Sequence, residues 1–303
     1  MNKANLTLRV VSRAALAAGL GVAAAIGLAS TAQAQKAFPS PEAAAEALVE
    51  GVATSDDDAV RAVLGPNYRR FIPAAAETDE YRLGFLEAWS RAHKVVTEGD
   101  RAKIEVGRHG WTLPIPLMNS AAGWKFDVAA APEQMRLRRI GRNELAAIQV
   151  ALAYTDAQDE YFAANPDRQA VGHYAMRSLS SPGKRDGLYW PALPGEVESP
   201  LGAAFADARP GMAYHGYLYR VLKAQGKDAP GGAKSYVRNG LMTEGYALIA
   251  WPERWGDTGV MSFIVNRDGV VYQKNLGPGT DALARKVTAF NPDSTWEKVE
   301  ANQ

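Results

Sequence analysis

Residues 133–164 read EQMRLRRIGRNELAAIQVALAYTDAQDEYFAA, and the fold turns on how this stretch is interpreted. Ile140, Leu145, Ile148 and Leu152 recur at helical spacing, Ala147, Ala151 and Tyr154 widen the stripe, and Asp156, Asp159 and Glu160 fall on the polar side. Asn165-Pro166 stops the pattern. A helix draws most of its stability from cover over its apolar face, so the chain must supply a sheet. Downstream, Tyr214 to Leu222 alternates aromatic and apolar residues and Gly245 to Trp251 is a near-continuous apolar run. Val260 to Val265 then leads through Asn266-Arg267-Asp268-Gly269 into Val270 to Gln273. Asp-Gly between two such runs signals a hairpin. Between helix and sheet lies a Gly/Pro-rich connection, Ser178 to Pro210, too long for a turn and carrying Tyr189, Trp190 and Leu201 to order it. Residues 281 to 299 form a tail with a short helix and Trp296.

Upstream, Ser40-Pro41-Glu42 is a serine cap followed by Pro at the first helical position. Ala44, Ala45, Leu48, Val49 and Val52 give that helix an apolar face. Asp56, Asp57 and Asp58 read as cap and dipole partners of a second helix, lacking the alternate spacing and Gly turn of a calcium loop. Glu80 to Val96 predicts a third helix. Beyond Gly99-Asp100 the period becomes two, with Ala102, Ile104 and Val106 alternating with charges and Trp124 to Val128 closing the set. The expectation is an α+β protein. A small helix-plus-antiparallel-sheet domain occupies 35–131, a long helix packed on an antiparallel sheet occupies 132–280, and a tail covers 281–303.

The first 34 residues have a different character. Lys3, Arg9 and Arg13 precede an Ala-rich apolar run from Ala14 to Ala29, and the segment closes on Ala32-Gln33-Ala34. Basic end, short apolar core and small residues at the exit are the parts of a secretory signal peptide, cleaved after Ala34. Periplasmic or secreted localisation is therefore expected, with no stable membrane anchor, since no later run reaches the roughly 18 apolar residues of a span. Three of the 34 Lys+Arg lie in this segment and none of the 33 Asp+Glu does, so the chain from Gln35 onward is nearly neutral. Such a balance argues against nucleic acid as a partner. There is no Cys, hence no disulfide, thiolate site or lipid attachment point, and core packing must hold the chain together.

Several stretches together resemble an uncharacterised bacterial exported family, the domain of unknown function 2950. They include Phe38-Pro39-Ser40-Pro41-Glu42, the run Arg139-Ile140-Gly141-Arg142-Asn143-Glu144-Leu145, Ser181-Pro182-Gly183-Lys184 and Asp186-Gly187-Leu188-Tyr189-Trp190-Pro191. Tyr214-His215-Gly216-Tyr217, Ala229-Pro230-Gly231-Gly232, Phe263-Ile264-Val265-Asn266 and Gly269-Val270-Val271-Tyr272 complete the set. That resemblance carries no function. The order of the second half, a long helix, a Gly/Pro-rich loop and antiparallel strands, also resembles the heads of type IV pilins and pseudopilins. Charged Glu133 to Arg142 stands where a pilin places its apolar, fibre-forming half-helix.

Catalytic signatures are sparse. His93, His109, His173 and His215 are not paired with each other or with acids at metal-ligand spacing, so no metal site and no cofactor are expected. Neither a Gly-x-Ser-x-Gly elbow nor a phosphate loop is present after residue 34. The polar candidates are His215 as a base and Asp186 as its orienter, with Ser180 or Ser181 as nucleophile, if the long connection folds over the strand carrying His215. Asn143 and Glu144 read as capping residues or as partners of Arg139 or Arg142. Tyr189, Trp190, Trp251 and Trp255 are candidate contacts for a glycan or an envelope protein. The expected function is a non-enzymatic binding or assembly module in the cell envelope. An envelope hydrolase using His215 and Asp186 is the alternative.

Overall fold

The structure, a computed structural model, describes residues 35–70, 79–202, 205, 209 and 211–300. The expected signal peptide and its cleavage point at Ala34 lie outside the described residues. The fold is α+β. Helix α1 (Pro41–Thr54) starts where its cap requires, with the Ser40 side chain accepting from the Ala43 N–H. Asp56 does the same for α2 (Asp57–Leu64), accepting from the Asp58 and Ala59 N–H groups. Helix α3 (Asp79–Arg91) is shorter than its periodicity suggests. His93–Glu98 forms strand β1, antiparallel to β2 (Arg101–Val106) across the Gly99-Asp100 turn. The β-branched run Val95-Val96-Thr97 is the physical reason: paired to a partner strand, it outweighs the helical pattern that precedes it. Strands β3 (Trp111–Thr112), β4 (Leu117–Ser120) and β5 (Gly123–Phe126) complete this sheet. Leu48, Leu64, Tyr68, Ile104 and Phe126 fill the core between it and the helices.

Helix α4 (Ala131–Ala164) begins inside that first core, where Ala131 is buried, and runs without interruption into the second. Its buried line is Ile140, Ala147, Ala151, Tyr154, Ala157 and Tyr161, whereas Leu145, expected on the stripe, is 62% exposed. The sheet it covers explains the shift. Tyr217, Tyr246 and Phe263 are among the large side chains filling this core, so small residues on the helix let the two surfaces close.

That sheet is built from β6 (Tyr217–Leu222) after the long connection. Two small ribbons follow, β7 (Ala224–Gln225) with β8 (Lys234–Ser235) and β9 (Val237–Arg238) with β10 (Leu241–Met242). Then come β11 (Ala247–Pro252), β12 (Met261–Asn266) and β13 (Tyr272–Asn275). Helix α5 (Thr280–Lys286) and β14 (Glu297–Lys298) come from the tail. The order is β14-β13-β12-β11-β6, antiparallel throughout, so the tail belongs to this sheet and β6 is its edge strand among the described residues. Tyr214-His215-Gly216-Tyr217, expected within a strand, is instead a two-residue hairpin turn. Tyr214 and Tyr217 exchange both backbone hydrogen bonds, at 2.8 and 3.1 Å, while His215 and Gly216 sit at φ 49° and 74°. Positive φ at both central positions is the type I′ requirement. No helix among the described residues is long and apolar enough to cross a membrane.

Candidate functional site

A cavity of about 860 Å³ opens beside β6. One wall is β6 itself. Leu218, Tyr219, Arg220, Val221 and Lys223 all line it, although side chains of a strand seen face-on contribute only at alternate positions. The cleft therefore meets β6 edge-on. Facing it is the run from Met176 to Pro182 in the long connection. This run is held from behind by Tyr189, whose N–H donates to Ser178 O at 2.9 Å and whose carbonyl accepts from Ser180 N at 2.8 Å. Gly187 permits the close approach, since a Cβ there would lie 2.7 Å from the Leu179 carbonyl carbon. Phe205, Met212 and Tyr214 close one end.

The two sides of the cleft differ in chemistry. Toward α4 it is lined by Val150, Tyr154 and Leu248, an apolar surface. Toward α5 it is lined by Trp251, Arg220 and Arg285. Arg220 donates to the carbonyls of Ala284 at 2.8 Å, Arg285 at 2.9 Å and Val287, satisfying the C-terminal end of α5. Its guanidinium lies 5.8 Å from the Trp251 ring centre. Burial, and then the nearby Arg285 charge, hold the Arg220 pKa below its ordinary value. Arg285 pairs with Asp281, whose carboxyl is held below the usual range by Arg285 first and by the Trp251 indole N–H second. With Arg177, Arg209 and Lys223 the cleft carries five cations, and no Asp or Glu lines it among the described residues. Arg177 has Asp186 behind it at 3.8 Å, and Arg285 has Asp281 at 2.9 Å. Converging positive charge on apolar walls suits an anion with an apolar body.

The sequence candidates are distributed unevenly around this cleft. Ser181 and Asp186 do meet: the Ser181 hydroxyl donates to Asp186 Oδ2 at 2.9 Å and its N–H to Oδ1 at 2.7 Å. Burial works against the Asp186 charge, but these two bonds and Arg177 outweigh it and keep the carboxyl below its ordinary pKa. Arg177 also donates to Ser181 Oγ at 2.7 Å, so this hydroxyl sits inside a loop-closing cluster. His215 is not brought to them. It is exposed at the hairpin tip, its ring 4.2 Å from that of Tyr214, and it forms no ion pair among the described residues. The Ser180 hydroxyl donates to the Gly187 carbonyl and accepts from its N–H. Of the aromatic candidates, Trp251 lines the cleft, Trp190 is buried with its indole donating to Val197 O, and Tyr189 is half-buried behind the facing wall. Trp255 is the exposed one, donating to Asn275 Oδ1 on a separate loop.

Asn143 and Glu144 neither cap α4 nor pair with its arginines; they clamp the loop before β12. Asn143 donates to Thr258 O at 2.8 Å, and Glu144 Oε1 accepts from the N–H groups of Val260 at 2.8 Å and Met261 at 3.0 Å. Arg139 adds an ion pair to Asp257. A buried pair that spacing did not reveal joins His173 Nε2 to Asp167 Oδ2 at 3.2 Å, under the ring of Tyr161. It ties down the chain leaving α4. Among the described residues no group of three or more His, Asp or Glu is placed to hold a metal ion.

The cleft itself gave no sequence signal, because Arg177, Arg209, Arg220, Lys223 and Arg285 are spread over more than 100 positions and meet only in the folded chain. No curated protein and no solved structure matches the chain. The family model described as protein of unknown function DUF2950 matches residues 35–299, and the protein belongs to that family.

Proposed function

We propose that the protein is a soluble, exported, non-enzymatic binding module of the cell envelope, and that its ligand, an anion with an apolar part, enters the cleft beside β6. The observation that carries this reading is the meeting of five cations with apolar and aromatic walls, and no lining acid among the described residues, around about 860 Å³. Export rests on residues 3–34, with their basic end, apolar core and Ala32-Gln33-Ala34 exit. The pilin-like part of the proposal is limited to the order of elements, a long helix covering an antiparallel sheet. Arg139, Asn143 and Glu144 spend the middle of that helix on holding a loop, which suits a free module better than a fibre subunit.

Calorimetric titration with decanoate and with decanol tests the site. The proposal expects saturable binding of decanoate at one site, little binding of decanol, and a loss of about tenfold or more in Lys223→Glu, the size of one charge-assisted contact. No decanoate binding, or equal binding of the two probes, sinks it. Edman sequencing of the protein recovered from an envelope fraction tests the address: a first residue other than Gln35 contradicts cleavage after Ala34.

A further inference from the structure

Which anion the cleft takes is written in the main chain of its walls. On the side of β6 away from β11, Tyr217 exchanges both of its hydrogen bonds with Tyr214, and the Lys223 carbonyl accepts from Tyr236 N. Backbone groups of a strand alternate between its two edges, so Tyr219 and Val221 turn their N–H and C=O groups to that same outer side. None of these groups has a hydrogen-bond partner among the described residues. Tyr219 and Val221 both line the cleft. On the facing wall, Leu179 is bridged to Tyr189 through its two neighbours, and its own N–H and C=O consequently point away from Tyr189. Unpaired main-chain donors and acceptors at a strand edge are a template for another strand.

Resting on the reading of this cleft as an anion site, we propose that its ligand is an extended acidic peptide segment of another protein, added to the sheet as a strand along β6. The peptide main chain pairs with Tyr219 and Val221. Its side chains then alternate between the two chemistries of the cleft, as in other cases of strand addition. Apolar side chains go toward Val150, Tyr154 and Leu248; carboxylates go toward Arg220 and Arg285, with Lys223 at the end of the strand. The register supports this division, since Tyr219 and Val221 stand opposite Ala250 and Leu248, whereas Leu218 and Arg220 stand opposite Trp251 and Ile249. A compact anion such as a fatty carboxylate satisfies the cations and walls but leaves the strand edge unpaired. That difference separates the two ligand types.

The probe is a ten-residue peptide of alternating valine and glutamate, titrated into the full chain from Gln35 onward beside the same peptide N-methylated at every residue, and beside decanoate. The inference expects saturable binding of the parent peptide and slower amide hydrogen exchange at Tyr219 and Val221. It expects at least tenfold weaker binding of the N-methylated peptide, which keeps every side chain but cannot pair. Val221→Pro should fold, because a strand edge tolerates Pro where the N–H faces outward, and should bind the parent peptide at least tenfold more weakly. Equal binding of the two peptides, unchanged exchange at Tyr219 and Val221, or no peptide binding overturns strand addition. In each of these cases decanoate binding leaves the anion cleft standing, and its absence removes both.

Discussion

Glu144 holds two main-chain donors with one oxygen, at 2.8 Å to Val260 N and 3.0 Å to Met261 N. Removing it leaves both donors half-buried without a partner, and stranded donors cost about 1–3 kcal/mol. Glu144→Ala is expected to lose stability in that range in urea unfolding, with Glu144→Gln much nearer to the parent because its carbonyl can still accept. Equal losses would show that the two bonds do not matter. His215 makes the opposite case. Its left-handed backbone at φ 49° is the residue's main constraint, and Asn meets that constraint better than His in a type I′ turn. His215→Asn should leave unfolding unchanged within about 0.5 kcal/mol, and should leave ligand binding untouched; a large loss of either would return the imidazole to the site. Gly216 has no such latitude, since a Cβ there would lie 2.5 Å from Asn143 Nδ2. The sequence shows Asn143 and Glu144 as polar breaks in an apolar pattern. What they hold was not legible, because Thr258 and Val260 are more than 110 residues away.

Elements were legible where one period ran long enough. Helix α4 is found at 131–164 against an expectation of 133–164, and β11 and β12 lie where the apolar runs place them. Errors gathered at transitions. Helical spacing through Leu83, Leu86 and Trp89 carried the third helix past Arg91 into a strand, and the short tail read as an appendage because a two-residue strand such as β14 has no period. The tail's anchor is Phe290, 1% exposed, with its backbone joined to Ala224 and Gly226 at 2.9 Å. Phe290→Ala is therefore expected to cost about 3–5 kcal/mol, the usual range for a buried Phe, and to expose the sheet to proteolysis within residues 280–299. A change below 1 kcal/mol would mean that the tail is not part of the second core. The edge strand β6 is the element that sequence could least reveal. Its alternation reads as an ordinary strand, and only the order β14-β13-β12-β11-β6 leaves its outer side without a neighbouring strand among the described residues.

At the scale of the molecule, two cores share one helix. Ala131 lies in the first, Ala147 to Tyr161 lie in the second, and Arg138 secures the start of α4 by donating to Thr112 Oγ1 at 2.6 Å. The cores differ in their tyrosines. Tyr154, Tyr161, Tyr174, Tyr217, Tyr219 and Tyr246 in the second have pKa values above the ordinary phenol value, and Tyr236 is pushed up to about 12; burial is the first cause in each case. A folded pKa above the unfolded one contributes stability that is fully present below the unfolded value, about 10 for Tyr, and is lost as pH rises through the folded values. Seven phenols act in the same direction, and all lie beyond residue 150. Alkali should consequently unfold the second unit as a cooperative event between about pH 10 and 12. The measurement is tyrosinate absorbance followed together with near-ultraviolet circular dichroism. The buried set should ionise only as the dichroism collapses. Ionisation of every tyrosine near pH 10 with the dichroism preserved would contradict the packing of α4 on the sheet, and with it the wall of the cleft that Tyr154 supplies.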